Sequence, residues 1–184
     1  MSSHSQKIDR FFLFSIIGLT GVGFFIFLSA SLGLLADQAG QFTTVAIKQG
    51  ISLAIGIGAF IVFSKIKYHY IKSFAFFILL GAIIINLLLF IPSLTLHHGG
   101  ASRWIDLGFI SFQPSELLKI AFIIYMATWI NFIKDRIKMF NSGFLPYMII
   151  MGILGLLLFA QRDTDTLLII GFTGLTMLFI GGLK

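Results

Sequence analysis

The chain has 184 residues, 58% hydrophobic and 11% charged, with 22 Phe and a mean hydropathy of +1.01, which excludes a water-soluble globular domain. Thirteen Lys plus Arg against seven Asp plus Glu give a net charge of +6, but these cations stand in short clusters between long apolar runs, the pattern of a membrane protein and not of a nucleic-acid binder. The absence of cysteine excludes a disulfide framework, a thiolate metal site and a cysteine nucleophile, and leaves the redox compartment unread.

A helix crosses the hydrocarbon core with about 20 mainly apolar residues, because every backbone N–H and C=O must be satisfied within the segment. Six runs meet that demand and predict an all-α, polytopic integral membrane protein, a single membrane domain over 1–184. The first, 11–36, is uncharged and longer than the apolar region of a cleaved secretory peptide, so a retained signal anchor is expected. The second, 45–66, has Lys48 and Lys65 near opposite ends, where both ammonium groups can reach the interfaces. The third is 73–91. The fourth, 115–133, carries Glu116 and Lys119 near its start, and 144–159 and 166–183 complete the set. The longest connection is the stretch 92–114, and there is no room for a soluble domain, no low-complexity tail and no clear repeat.

Short cytoplasmic loops hold an excess of Lys and Arg. With six alternating spans, Lys7, Arg10, Lys65, Lys67, Lys72, Lys134, Arg136, Lys138 and Lys184, nine of the thirteen cations, fall on one side. That side is expected to be cytoplasmic, with both termini. Lys48, Arg103, Lys119 and Arg162 fall on or near the outer side.

The outer loop 92–114 is denser in polar and special residues than the rest of the chain. Gly99-Gly100 permits a sharp turn, Trp104 suits the membrane interface, and Pro114-Ser115 before an apolar run is a helix start. An interfacial loop ending in a helix N-terminus accounts for all of this. Glu116 and Lys119, however, stand three apart on one helical face just inside an apolar span, where charge is costly and usually functional. Either they neutralise one another, or Arg103, Lys119 and the positive end of the fourth span bind an anion such as phosphate.

A second polar knot, Gln161-Arg162-Asp163-Thr164-Asp165-Thr166, precedes the sixth span. Its two carboxylates could hold a divalent cation or orient a substrate, but a solvated turn with a Thr or Asp helix cap is the favoured reading. His97-His98 is expected in an exposed loop, because adjacent histidines point apart and no third ligand accompanies them. Asn86 lies deep in the third span and needs a partner from another helix. Ala54 with Gly58, Gly152 with Gly155 and Gly171 with Gly174 are small pairs that let helices approach. The many Phe are expected to be lipid-facing bulk.

The run Gly100-Ala101-Ser102-Arg103-Trp104-Ile105-Asp106-Leu107-Gly108, followed by Gln113-Pro114-Ser115-Glu116-Leu117-Leu118-Lys119, closely resembles the signature of the SEDS family, whose members include the FtsW, RodA and SpoVE proteins, and is most similar to its cell-division (FtsW) branch. The resemblance implies a multi-pass enzyme of the bacterial inner membrane that polymerises lipid II into peptidoglycan glycan strands beside a class B penicillin-binding protein and other divisome membrane proteins. The donor leaves as a polyprenyl diphosphate. By the same resemblance Arg103 and Lys119 engage the lipid-linked substrate, Glu116 orients or neutralises Lys119, and Trp104 and Gln113 shape the loop. A base is needed to activate the acceptor hydroxyl; of the outer-side carboxylates Asp37, Asp106, Glu116, Asp163 and Asp165, none matches the family's catalytic position, and Asp163 is the one to test first. A divalent cation such as Mg2+ is left open.

Two departures accompany the match. The family commonly has Gln-Pro-Asp-x-Gly-Thr before the sixth span, whereas Arg162 and Asp165 stand in place of the Pro and the Gly here. Family members also have about ten spans, and their proposed catalytic Asp follows the sixth, beyond Lys184. No catalytic residue is therefore assigned in this chain, which is expected to be the N-terminal part of such an enzyme and inactive by itself. A flippase or transporter of lipid-linked precursors and a non-catalytic divisome scaffold are the alternatives, because a diphosphate site serves transport as well as synthesis.

Overall fold

The computed structural model describes residues 9–32, 39–91, 95–98, 101–106 and 111–183. Its elements are α1 (Arg10–Ser31), α2 (Ala39–Lys65), α3 (Tyr68–Ser73), α4 (Ala75–Leu87), β1 (Thr95–His98), β2 (Ala101–Asp106), β3 (Ser111–Phe112), α5 (Pro114–Ile133), α6 (Phe144–Ala160) and α7 (Thr164–Gly181). Helices lie at all six positions expected from the apolar runs. Arg10–Ser31, Thr43–Lys65, Pro114–Ile133 and Thr164–Gly181 are long and apolar enough to cross a membrane, and Ala75–Phe90 and Phe144–Ala160 are shorter apolar helices.

The expected first span extends past the end of α1, and residues 33–36 lie outside the described residues, as do Asp37, Gly99, Gly100 and 107–110. The third span begins earlier than expected. Tyr68–Ser73 is already helical, and Phe74, at φ −101° and ψ 7°, separates it from α4. The amide ladder nevertheless runs on through the break, Phe74 N–H donating to Tyr70 C=O at 3.2 Å and Ile78 N–H to Phe74 C=O at 2.9 Å.

The chain divides into two units, Met1–Phe60 and Ile61–Lys184. In the first, α1 opens on an Asp9 cap whose Oδ1 accepts from Phe12 N–H at 3.1 Å, and along α1 Ser31 is the one buried residue among those described. The Cβ position of Gly58 meets nothing within 4 Å, so the small pair with Ala54 makes no close approach among the described residues.

In the second unit α5 is the central helix, packing against α4 and α7, while α6 packs against α7. Leu118, Phe122 and Met126 recur every four residues, which puts them on one helical face, and all three are fully buried. They meet Leu79 and Ala82 of α4, Tyr147, Leu154 and Leu158 of α6, and Ile170 and Leu178 of α7. Of the glycine pairs, Gly174 is the one under pressure: a Cβ there would lie 2.5 Å from Tyr147 Cε2 and 2.8 Å from Phe122 Cζ, whereas Gly152 meets nothing. Tyr147 completes the contact by donating its hydroxyl to Gly171 C=O at 2.8 Å. On the outer faces Phe77, Phe132, Phe172 and Phe179 are each more than half exposed, as bulk facing lipid would be.

The stretch read as an interfacial loop contains a three-stranded antiparallel sheet, in the order β1-β2-β3. Thr95 pairs with Ile105, His98 with Ala101, and Ile105 with Phe112, with an irregularity between Leu96 and His97. Side chains alternate along β2, so that Arg103 is half-buried, Trp104 exposed and Ile105 buried. Thr95 ties the sheet to the end of α4, its hydroxyl lying 2.9 Å from both Leu89 C=O and Ile91 C=O.

Candidate functional site

Two helices begin beneath the sheet, and each start is set by its sequence. Pro114 opens α5, where a missing N–H costs nothing, and Glu116 stands in its first turn. Asp163 caps α7, its Oδ1 accepting from Thr166 N–H at 3.4 Å. The two N-termini are joined by side chains: Thr166 Oγ1 lies 3.5 Å from Ser115 Oγ, and Gln113 Nε2 donates to Ser115 Oγ at 2.9 Å and to Asp163 Oδ2 at 3.5 Å.

A solvated turn at 161–166 is therefore only partly right. The aspartate cap is present, but Gln161 and Asp163 are each 2% exposed. A carboxylate this deep demands compensation. Arg103 supplies it from β2, with Nη1 at 3.9 Å from Asp163 Oδ1 and 3.6 Å from the exposed Asp165 carboxylate, while Nη2 donates to the Arg162 carbonyl. Arg103 Nε is buried and has no hydrogen-bond partner among the described residues. Arg162 makes its carbonyl available by adopting φ 58°, a left-handed conformation that proline, fixed near −65°, cannot take. The exchange of the family's Pro for Arg162 is thus matched by a turn that Pro does not fit.

The network continues inward. Asn86 Nδ2 donates to Ala82 C=O at 2.9 Å and to Pro114 C=O at 3.2 Å, and Gln161 Nε2 donates to Asn86 C=O at 3.0 Å. Asn86 thus finds its expected partner on another helix, α5, and joins α4, α5 and the turn before α7 as a packing group.

Lys119 and Glu116 form the mutual pair that their spacing allows, with Lys119 Nζ at 2.9 Å from both carboxylate oxygens. Glu116 is the more exposed of the two side chains, at 57% against 25%, so the ammonium leans toward the protein. No ion pair or hydrogen bond joins this pair to Arg103 among the described residues. Trp104 stands 41% exposed next to Arg103 on β2. Arg103, Gln113 and Asp163 are thus brought into one cluster, with Glu116 and Lys119 a separate pair on α5. No group of three or more His, Cys, Asp or Glu suited to a metal ion occurs among the described residues.

Ser115 and Gln161 are the members of this network that residue-type reasoning did not single out. Ser115 reads as a plain helix start, and Gln161 as one polar residue among six. The signal for Ser115 lies in its position, since a hydroxyl at a buried helix N-terminus must find a partner.

The chain is similar to proteins described as "Probable peptidoglycan glycosyltransferase FtsW". It is 35% identical over 179 residues to that of Geobacter sulfurreducens, covering 97% of this chain and 48% of the relative. It is 31% identical over 176 residues to that of Escherichia coli O6:H1, covering 96% and 42%. The chain thus spans about half the length of the curated relatives it matches. Its fold matches that of the rod shape determining protein RodA of Thermus thermophilus with a TM-score of 0.71 at 21% identity, covering 96% of this chain and 54% of that one. A chain from a peptidoglycan synthase complex matches with a TM-score of 0.66 at 20% identity, covering 87% and 47%. A family model described as "Cell cycle protein" matches residues 10–184, nearly the whole chain, which therefore belongs to the FtsW/RodA/SpoVE family, the SEDS family that its Arg103-to-Lys119 motif resembles.

Proposed function

We propose that this chain forms the lipid-linked substrate site of an FtsW-type peptidoglycan glycosyltransferase of the bacterial inner membrane, which polymerises lipid II with a class B penicillin-binding protein as partner. The reading places both termini in the cytoplasm and the β-sheet on the outer side. The observation that carries it is Arg103, whose guanidinium is fixed by the buried Asp163 and the Arg162 carbonyl.

A preorganised cation of this kind stabilises the negative charge that grows on a departing diphosphate without reorganising during the reaction. Arg103 and Lys119 are assigned to the diphosphate. Glu116 holds Lys119, and Asp163 with Gln113 positions Arg103 from below. The exposed arm to Asp165 is the weak one, since surface ion pairs contribute about 0–1 kcal/mol, and an incoming diphosphate can displace it. Trp104 is assigned to the interface. Activation of the acceptor hydroxyl is not assigned to any of these residues.

The test is glycan polymer formation from labelled lipid II by the native gene product with its penicillin-binding partner, in the parent and in Arg103→Ala and Lys119→Ala. Polymer in the parent and its loss in both variants supports the reading. Head-group translocation without polymer would make the chain part of a transporter. Partner capture without polymer, indifferent to both substitutions, would make it a scaffold.

A further inference from the structure

At the end of the α4–α5 pair opposite the sheet lies a cavity of about 540 Å3 that the substrate reading does not use, lined among others by Lys72, Tyr125, Thr128, Trp129 and Lys134. We propose that it binds the phosphodiester head group of an anionic membrane lipid. Lys72 comes from α3 and Lys134 from the residue following α5, so two basic residues line the cavity from different elements. Among the described residues no carboxylate lines it and neither lysine has an ion-pair partner.

The third polar group is Thr128. Its hydroxyl is buried from solvent with no hydrogen-bond partner among the described residues, although a helical threonine usually bonds to the carbonyl one turn back, as Thr176 does to Phe172 at 2.8 Å. Two cations and a free hydroxyl are the complement of a phosphodiester, which offers several strong acceptors and one negative charge. The rest of the wall suits the attached lipid. Phe76 and Phe132 are more than half exposed at the rim, where acyl chains would run, and Trp129 belongs to the interfacial zone that aromatic rings favour.

The surroundings select a lipid over a soluble phosphate. Lys65 and Lys67 precede α3, and Arg136 and Lys138 follow Lys134, so the cavity opens where apolar spans give way to clustered cations, the position of a head-group layer. Basic pockets between spans bind anionic head groups in this way. The site is independent of Arg103 and of the substrate reading.

Trp104 and Trp129 are the two tryptophans of the chain, so Trp104→Phe leaves Trp129 as the reporter. In nanodiscs of phosphatidylcholine, head-group spin-labelled phosphatidylglycerol is expected to quench Trp129 at about tenfold lower mole fraction than spin-labelled phosphatidylcholine, as two basic side chains near one head group imply. Lys72→Gln with Lys134→Gln should abolish that preference, and Thr128→Val, which leaves the charge unchanged, should weaken it by about threefold, the loss of one hydrogen bond. Equal quenching by the two lipids overturns the proposal, as does a preference that survives the double substitution in a variant with an unchanged melting temperature. If inorganic phosphate at millimolar concentration removes the preference in the parent, the site takes free phosphate and the lipid assignment is overturned.

Discussion

Asp163 and Arg103 meet across the junction between the start of α7 and strand β2, with 3.9 Å between Oδ1 and Nη1, and the Asp163 side chain is 3% exposed where that of Arg103 is 29%. The contact is long for an ion pair, so Asp163 does not rest on Arg103 alone. Its other supports are the Thr166 amide, the Gln113 side chain and the positive ends of α5 and α7. One carboxylate therefore caps a helix, joins two helix starts and fixes the cation above them.

Asp163→Ala removes all of these at once and leaves Gln113 and Arg103 facing an apolar methyl. The expected cost is about 2–3 kcal/mol, combining a lost cap with a partly buried charge left with only the exposed Asp165 carboxylate as its ion-pair partner. Asp163→Asn keeps an acceptor for Thr166 N–H and should cost about half as much, since Asn is as good a cap. Thermal unfolding in detergent ranks the two, and equal losses would mean that charge, not capping, decides the site.

Arg162 tests the altered turn. At φ 58° a non-glycine residue bears about 1–2 kcal/mol of strain, part of which glycine would return through its greater freedom in the unfolded chain. Arg162→Gly should therefore gain about 0.5–1 kcal/mol. Arg162→Pro, which restores the residue common in the family, should lose more than about 1 kcal/mol because its ring forbids the observed φ. A stabilised proline variant would show that the turn adopts the family geometry instead.

The membrane spans were legible because run length alone decides whether a segment can cross a bilayer. The sheet was not, although signals for it existed. Gly99 and Gly100 are the two residues between the paired His98 and Ala101, and a two-residue glycine link between strands is a hairpin signal. The strands themselves are short and polar, so the alternation of Arg103, Trp104 and Ile105 was outweighed by Ser, His and Gly. The Arg103 and Lys119 motif could be read at once. That Asp163 lies buried under Arg103, sixty residues earlier in the chain, could not, because chain distance carries no information about which helix starts converge.

Gly174 reports on the central packing. The 2.5 Å and 2.8 Å approaches to Tyr147 and Phe122 involve rings that are themselves held in the core, so Gly174→Ala should cost about 1–3 kcal/mol as an overpacking change. Gly171→Ala, whose Cβ would lie 3.5 Å from Met151 Cε, should be tolerated. Melting temperatures of the pair check the α5–α6–α7 packing without touching the polar cluster.

Glu116 and Lys119 separate stability from binding. With Glu116 57% exposed, Glu116→Ala should change unfolding by no more than about 1 kcal/mol, as for surface pairs generally. Lipid II binding should change measurably, because the ammonium would lose its anchor. A large loss of stability with unaltered binding would assign the pair to the fold alone.

The central claim is that Arg103, held by Asp163, binds the diphosphate of the lipid-linked substrate. Its most direct test is the dissociation constant of labelled lipid II for the protein in nanodiscs, compared between the parent and Arg103→Ala, with undecaprenol as the control ligand lacking the diphosphate. Loss of a charged hydrogen bond worth about 1.5–3 kcal/mol predicts weakening by about ten- to a hundredfold for lipid II, with undecaprenol unaffected. Equal affinity of parent and variant for lipid II, in a variant that melts like the parent, would contradict the account.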